Sequence, residues 1–214
     1  MTTSKPLKGL FIFAWYKLGM NFLWVMGIFL LIGIAWLSNL ENEMLFSMFQ
    51  QGPLMVVFVL MMGLGYISNW EKYQISMPIS RKQLIIAQMI PVFIATILVF
   101  AFFTAFIFIA SNLHENIPFN WDTMGTIILS FNTSLLMVAF TYIFGLLPVF
   151  QDKDTVAFVI GVAVALVTAN GLAHLGELAG LTPSVIAISI TVLSLFCFYG
   201  AYDFSCKVYE KLDF

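Results

Sequence analysis

Charge is scarce in this chain. Only 9% of its 214 residues are Asp, Glu, Lys or Arg, against roughly a quarter in soluble domains. Hydrophobic residues make up 61%, and the mean hydropathy is +0.99. A water-soluble body of this size cannot bury so much apolar surface, so lipid is the solvent for most of it. Cysteine is almost absent. Cys197 and Cys206 fall on one expected helix and its exit, about 13 Å apart along the axis. That is beyond disulfide reach, and no histidine stands nearby to complete a metal site, so both read as packing residues. Enzyme signatures are missing too: no G-x-x-x-x-G-K-[ST], no H-E-x-x-H, no G-x-S-x-G. His114 and Glu115 are adjacent but isolated, and read as solvated loop residues. Neither catalysis by this chain alone nor a nucleic-acid partner is expected.

What the chain does have is six apolar runs long enough to cross a bilayer, at 21–38, 53–68, 84–111, 123–150, 155–173 and 183–204. The second is short, and the third and fourth are long enough to tilt or project. Pro91 and Pro148 are expected near helix ends, where proline costs least. The fold expected is an all-α membrane protein, a single transmembrane domain over 1–214 with no room for a soluble one. Ahead of the first run, Leu7, Leu10, Phe11, Ala14, Trp15 and Leu18 follow the i, i+3, i+4, i+7 pattern. With Lys8, Lys17, Trp15 and Tyr16 this suits an interfacial amphipathic helix; the other reading is the wet first turns of span one. Lys17 interrupts the apolar run and no small-x-small site follows, so a cleaved signal peptide is not expected.

The basic residues sort cleanly. Given six spans, Lys5, Lys8, Lys17, Lys72, Arg81, Lys82, Lys153, Lys207 and Lys211 all fall on one side. The opposite loops hold Glu41, Glu43, Glu115, Asp122 and Glu177, with His114 and His174. The positive-inside rule then places both termini in the cytoplasm, and the segregation itself supports the count of six.

No ionisable residue lies deep in any span, which disfavours a secondary transporter or channel, because ion coupling needs a group that titrates or binds a cation. Asn132, Thr133, Ser134 and Thr141 form a polar patch in span four, and Thr96 and Thr104 mark span three. They are candidates for a translocation path, although Ser and Thr are also routine glue between membrane helices. Gly176 and Gly180 have dimerisation-motif spacing but fall in an outer loop.

The main polar island carrying basic residues between spans is 69–83, NWEKYQISMPISRKQ. Trp70 and Tyr73 suit the headgroup level. Ser80 with Gln83 is an S-x-x-Q capping box, with Ile79 before the cap and Leu84 as its staple partner, and Pro78 biases Met77 to an extended conformation. A rigid turn therefore starts the third helix, with Arg81 and Lys82 in its first turn. Those cations oppose the helix dipole, so they serve either anionic headgroups or an acidic protein surface.

The run from Glu71 through Met77-Pro78-Ile79-Ser80-Arg81 to Leu84 resembles the loop signature between the second and third spans of small ABC-2-type permeases, the membrane subunits of bacterial ABC exporters. Met77 stands where Leu is usual, and Gln88 where Lys is common. The resemblance implies that Glu71, Tyr73, Ser76, Met77, Pro78, Ile79, Ser80, Arg81 and Lys82 form a cytoplasmic coupling helix that docks a soluble ABC ATPase. It implies ATP and magnesium bound through that partner and none by this chain, a second permease copy or paralogue, and residence in the bacterial cytoplasmic membrane. It points to relatives that export phenol-soluble modulins or are linked to bacteriocin or antibiotic resistance, hence to a hydrophobic or amphipathic cargo, which 23 Phe and 12 Met would suit. Reduced re-entrant helices over 170–182 are one reading of that segment, and a solvated turn is the other. A membrane immunity or regulatory protein that binds a partner through 69–83 but transports nothing is the alternative function.

Overall fold

In lipid every backbone polar group must be satisfied within the protein, so apolar runs of this length fold as helices. The computed structural model describes residues 4–38, 43–65, 81–113, 117, 119–147 and 154–211. Among them the chain forms seven helices and no strand: α1 (Ser4–Ser38), α2 (Glu43–Gln50), α3 (Gly52–Gly65), α4 (Arg81–Leu113), α5 (Trp121–Gly145), α6 (Asp154–Leu178) and α7 (Pro183–Lys211). Four segments are long and apolar enough to cross a membrane: Ile85–Leu113, Met124–Gly145, Thr155–Leu178 and Pro183–Val208. Phe22–Ser38 in α1 and Gly52–Met61 in α3 are shorter apolar stretches. This is an all-helical membrane protein.

The helices run up and down between two ends. Ile85 and Met89 at the start of α4 pack with Ala201 and Cys206 near the close of α7, and α1 closes beside the close of α4, so the chain begins and ends its described course at the same end, the terminal end. At the far end Trp36 of α1 clusters with Ala110 and Ile117. Helix α5 is the axis. It packs against α3, α4, α6 and α7, and Ser134, Leu135, Leu136, Met137, Val138 and Ala139 are consecutive and fully buried. A helix buried all round is the innermost element of its bundle. Helix α6 reaches it along a ridge of small residues, Ala157, Gly161, Ala165 and Ala169, all buried. A β-carbon on Gly161 would stand 2.9 Å from the Thr141 backbone nitrogen, so the two helices touch nearly backbone to backbone there.

Several expectations change. Helix α1 is unbroken from Ser4 to Ser38, so the N-terminal stretch continues span one rather than forming a separate interfacial helix. Pro91 lies inside α4, not near its end, where it deprives the Ala87 carbonyl of its partner. Helix α5 closes at Gly145 on tight turns, Leu146 N to Ile143 O at 3.3 Å and Leu147 N to Phe144 O at 3.1 Å; Pro148 lies outside the described residues. Helix α6 runs on through His174 and Glu177 to Leu178, so 170–182 is the last turns of a helix and a short turn, without a re-entrant pair.

That turn is fully specified. Gly180 takes φ +72°, its N–H bonds the Glu177 carbonyl at 2.9 Å, and the Leu181 N–H bonds the Gly176 carbonyl at 3.0 Å. These two bonds make a Schellman cap, which needs a left-handed residue that glycine supplies without strain. Thr182 then offers its carbonyl to Ile186 N at 3.1 Å, and Pro183 takes the first helical position, where its missing N–H costs nothing. Gly176 packs on Ile186, so its small size serves this hairpin.

Candidate functional site

The sequence does not suggest α2. Its residues fall in what reads as an outer loop, yet Phe49 is fully buried. The Phe49 ring lies 4.7 Å from that of Phe106, 4.8 Å from Phe103 and 6.0 Å from Trp36, and Phe46 stacks on Trp36 at 4.9 Å. Phe46 and Phe49, three apart, place both rings on one helical face. That spacing, with Met44, Leu45 and Met48 around it, is the signal that could have marked the helix.

Helices α2 and α3 are separated by Gln51 alone, and the cause is next to it. Pro53 has no N–H and leaves the Phe49 carbonyl without its helical partner. The Gln51 carbonyl instead opens α3, accepting Met55 N at 3.2 Å. Gly52 lets the corner close against α4, for a β-carbon there would overlap the Phe103 ring. From α5, Ser130 donates its hydroxyl to the Gln50 carbonyl at 3.2 Å, which satisfies an acceptor at the end of α2. Contacts down the molecule, Phe46 with Trp36 and then Gly52 with Phe29, show that α2 and α3 descend together along α1.

The polar residues of the centre face several ways. Asn132 donates from Nδ2 to Thr191 Oγ1 of α7 at 3.0 Å, and the Thr191 hydroxyl donates in turn to the Ala187 carbonyl at 2.7 Å. Thr96, Thr133 and Ser134 turn back on their own helices, to the carbonyls of Val92 (2.8 Å), Leu129 (2.8 Å) and Ser130 (2.7 Å). Buried with no hydrogen-bond partner among the described residues are Thr104 Oγ1, Asn132 Oδ1, Thr141 Oγ1, Ser194 Oγ and Ser205 Oγ. Thr141 faces Gly161. The structure therefore brings Asn132 together with Thr191, and Ser134 with Ser130 and Gln50, while Thr96 and Thr104 stand apart on α4. An apolar groove of about 240 Å³ lies elsewhere, between α1 and α4, lined by Trp15, Leu18, Phe22, Ala95 and Leu98.

Of the loop residues, Glu71, Tyr73, Ser76, Met77, Pro78, Ile79 and Ser80 lie outside the described residues. Helix α4 runs from Arg81, which puts Arg81 and Lys82 in its first turn; the capping-box residue Ser80 lies outside the described residues. At the opposite end of the chain, Lys207 pairs with Asp203 at 2.5 Å one turn earlier on α7, the acid-before-base order that a helix favours. Both cysteines are free thiols. Among the described residues no cluster of His, Cys, Asp or Glu could hold a metal.

No curated protein and no solved structure matches the chain. Residues 11–210, nearly its whole length, match the family described as ABC-2 family transporter protein. Together with a bundle of long apolar helices around a central α5, that match makes the chain a member of the ABC-2 transporter family.

Proposed function

We propose that the chain is the permease subunit of a bacterial ABC exporter, moving a hydrophobic or amphipathic substrate with energy from ATP hydrolysed, with magnesium, on a separate ATPase subunit. The family match over residues 11–210 carries this reading. Two permease copies, or this chain and a paralogue, would work with two ATPases. The chain crosses the membrane six times, with α2 and α3 making the second crossing: Glu43 to Gly65 rises about 34 Å at helical pitch, enough for a hydrocarbon layer of about 30 Å. With six crossings all nine basic residues fall on the side of the terminal end, which assigns that end to the cytoplasm.

The residues from Glu71 to Lys82 form the coupling element. Arg81 and Lys82 stand in the first turn of α4, where the helix dipole disfavours cations, so an acidic surface on the ATPase is the partner that accounts for them. Reversing both charges, Arg81→Glu with Lys82→Glu, leaves membrane insertion intact and reduces ATPase capture in a detergent pull-down at least fivefold. Undiminished capture would refute the docking role. Asn132, Thr133, Ser134 and Thr141 on α5 and Thr96 and Thr104 on α4 are held inside the packed bundle, so they join the path only in a conformation that opens it.

A further inference from the structure

The break in the second crossing lies deep. Gly52 meets Phe29, nine residues before the end of α1, which is about 13 Å below that end. It also meets Phe103, ten residues before the end of α4, about 15 Å down. Ser130, bonded to Gln50, is six residues into the spanning part of α5 from the same end, about 9 Å. Three helices thus place the Gln50–Gly52 corner well inside a hydrocarbon layer of about 30 Å.

At that depth Gln51 is exposed. It belongs to one outward stripe of the crossing, with Met48 (43% exposed), Met55 (48%) and Val59 (41%). The outward residues at comparable depth on α1 and α4 are apolar: Ile28, Leu30 and Leu31 on the first, Ile97, Leu98 and Ala101 on the second. Asn170 is the nearest parallel, and it turns its amide back on the Leu166 carbonyl at 2.8 Å. The Gln51 side chain has no hydrogen bond among the described residues. A free amide pointing into hydrocarbon is strongly disfavoured, so this stripe does not face lipid while the protein works. Broken helices in membrane transporters are tolerated where the irregular backbone lines a cavity.

We infer that the Met48–Gln51–Met55 stripe is a wall of the translocation path, with Gln51 as its hydrogen-bonding position for an amphipathic cargo that bears backbone amides. An amide both donates and accepts, as a peptide group demands. Methionines above and below it are soft enough to fit apolar side chains of varying shape. The corner is rigid, held by Ser130 on one side and by the Phe49 cluster on the other, so the amide is presented at a fixed depth. This inference rests on the permease reading and assigns the cargo contact within it.

The test uses the permease with its ATPase in nanodiscs, carrying Cys197→Ser and Cys206→Ser, with Gln51→Cys added. A charged methanethiosulfonate reagent should label the new thiol, while Ile28→Cys, at similar depth on α1, stays unlabelled. A synthetic leucine–lysine amphipathic peptide should then slow labelling at Gln51→Cys at least tenfold. Labelling no faster than at Ile28→Cys would mean a lipid-facing residue and would overturn the assignment. An oxidative cross-link between two copies through Gln51→Cys, with no labelling, would also overturn it, in favour of paired amides at a subunit contact. Labelling that the peptide leaves unchanged would give a watery path with no cargo contact, and sinks the cargo role. If no ATPase accompanies the chain, the permease reading fails, and the labelling pattern still decides Gln51 by itself.

Discussion

Replacing Phe49 by alanine should loosen the far end of the molecule without touching any charged or polar group. Between membrane helices there is little hydrophobic driving force, so the loss is one of packing. Phe49 is fully buried and has ring neighbours at 4.7, 4.8 and 6.0 Å. Aromatic pairs contribute roughly 0.5–1.5 kcal/mol each, so three together come to about 3 kcal/mol. Large-to-small changes in protein cores cost about 3–5 kcal/mol for Phe to Ala, which agrees. At the scaling of domains near this size, that lowers the melting temperature by on the order of 8 °C. The assay is thermal unfolding of the purified chain in mild detergent, followed by intrinsic tryptophan fluorescence. Met48→Ala is the control, since Met48 is on the same short helix but is 43% exposed; it should shift the transition by no more than about 2 °C. If Phe49→Ala also melts within 2 °C of the parent, α2 is not seated in the bundle as described, and the broken second crossing loses its support.

Other outcomes follow from single contacts. Gly161→Val should prevent close packing of α5 and α6, because the added atoms meet the Thr141 backbone; little monodisperse protein should survive size-exclusion chromatography, whereas normal recovery would contradict the close approach. Asn132→Leu removes the bond to Thr191 and should lower stability by about 1 kcal/mol, seen as a small downward shift in the same melt; an upward shift would indicate that the unpaired Oδ1 outweighs the bond. Gly180→Ala forces a side chain into a left-handed turn at φ +72°, costing about 1 kcal/mol; an unchanged melt would argue against the Schellman cap. The pair Cys197→Ser and Cys206→Ser should retain ATP-dependent activity, since both thiols are free, and loss of it would contradict a packing role.

How much the sequence discloses differs from one element to the next. The runs at 84–111, 155–173 and 183–204 are visible because unbroken hydropathy over such lengths has few explanations, and α4, α6 and α7 cover them. The second crossing is harder to see. Read by hydropathy alone it starts at Pro53, because Gln50 and Gln51 interrupt the apolar signal. What restores the outer part is tertiary: Phe46 and Phe49 gain their meaning from Trp36 on the preceding helix and from Phe103 and Phe106, far away in sequence. The polar residues of α5 are legible as a patch, but not their partners. Nothing local distinguishes Ser134, which bonds its own helix, from Ser130, which crosses to Gln50. The N-terminal amphipathic pattern is genuine, yet a helix lying flat and the first turns of a spanning helix share the same period, and only the unbroken course of α1 separates them.

Whether this chain works with a motor is read by native mass spectrometry of the complex, purified through this chain from its own membranes and released from nanodiscs. The expected assembly holds two permeases, or this chain and a paralogue, with two ATP-binding subunits, and loses the ATPases when Arg81 and Lys82 are both reversed to Glu. A permease that flies alone under conditions that preserve membrane complexes, with no nucleotide-binding partner at any ATP concentration, would contradict it.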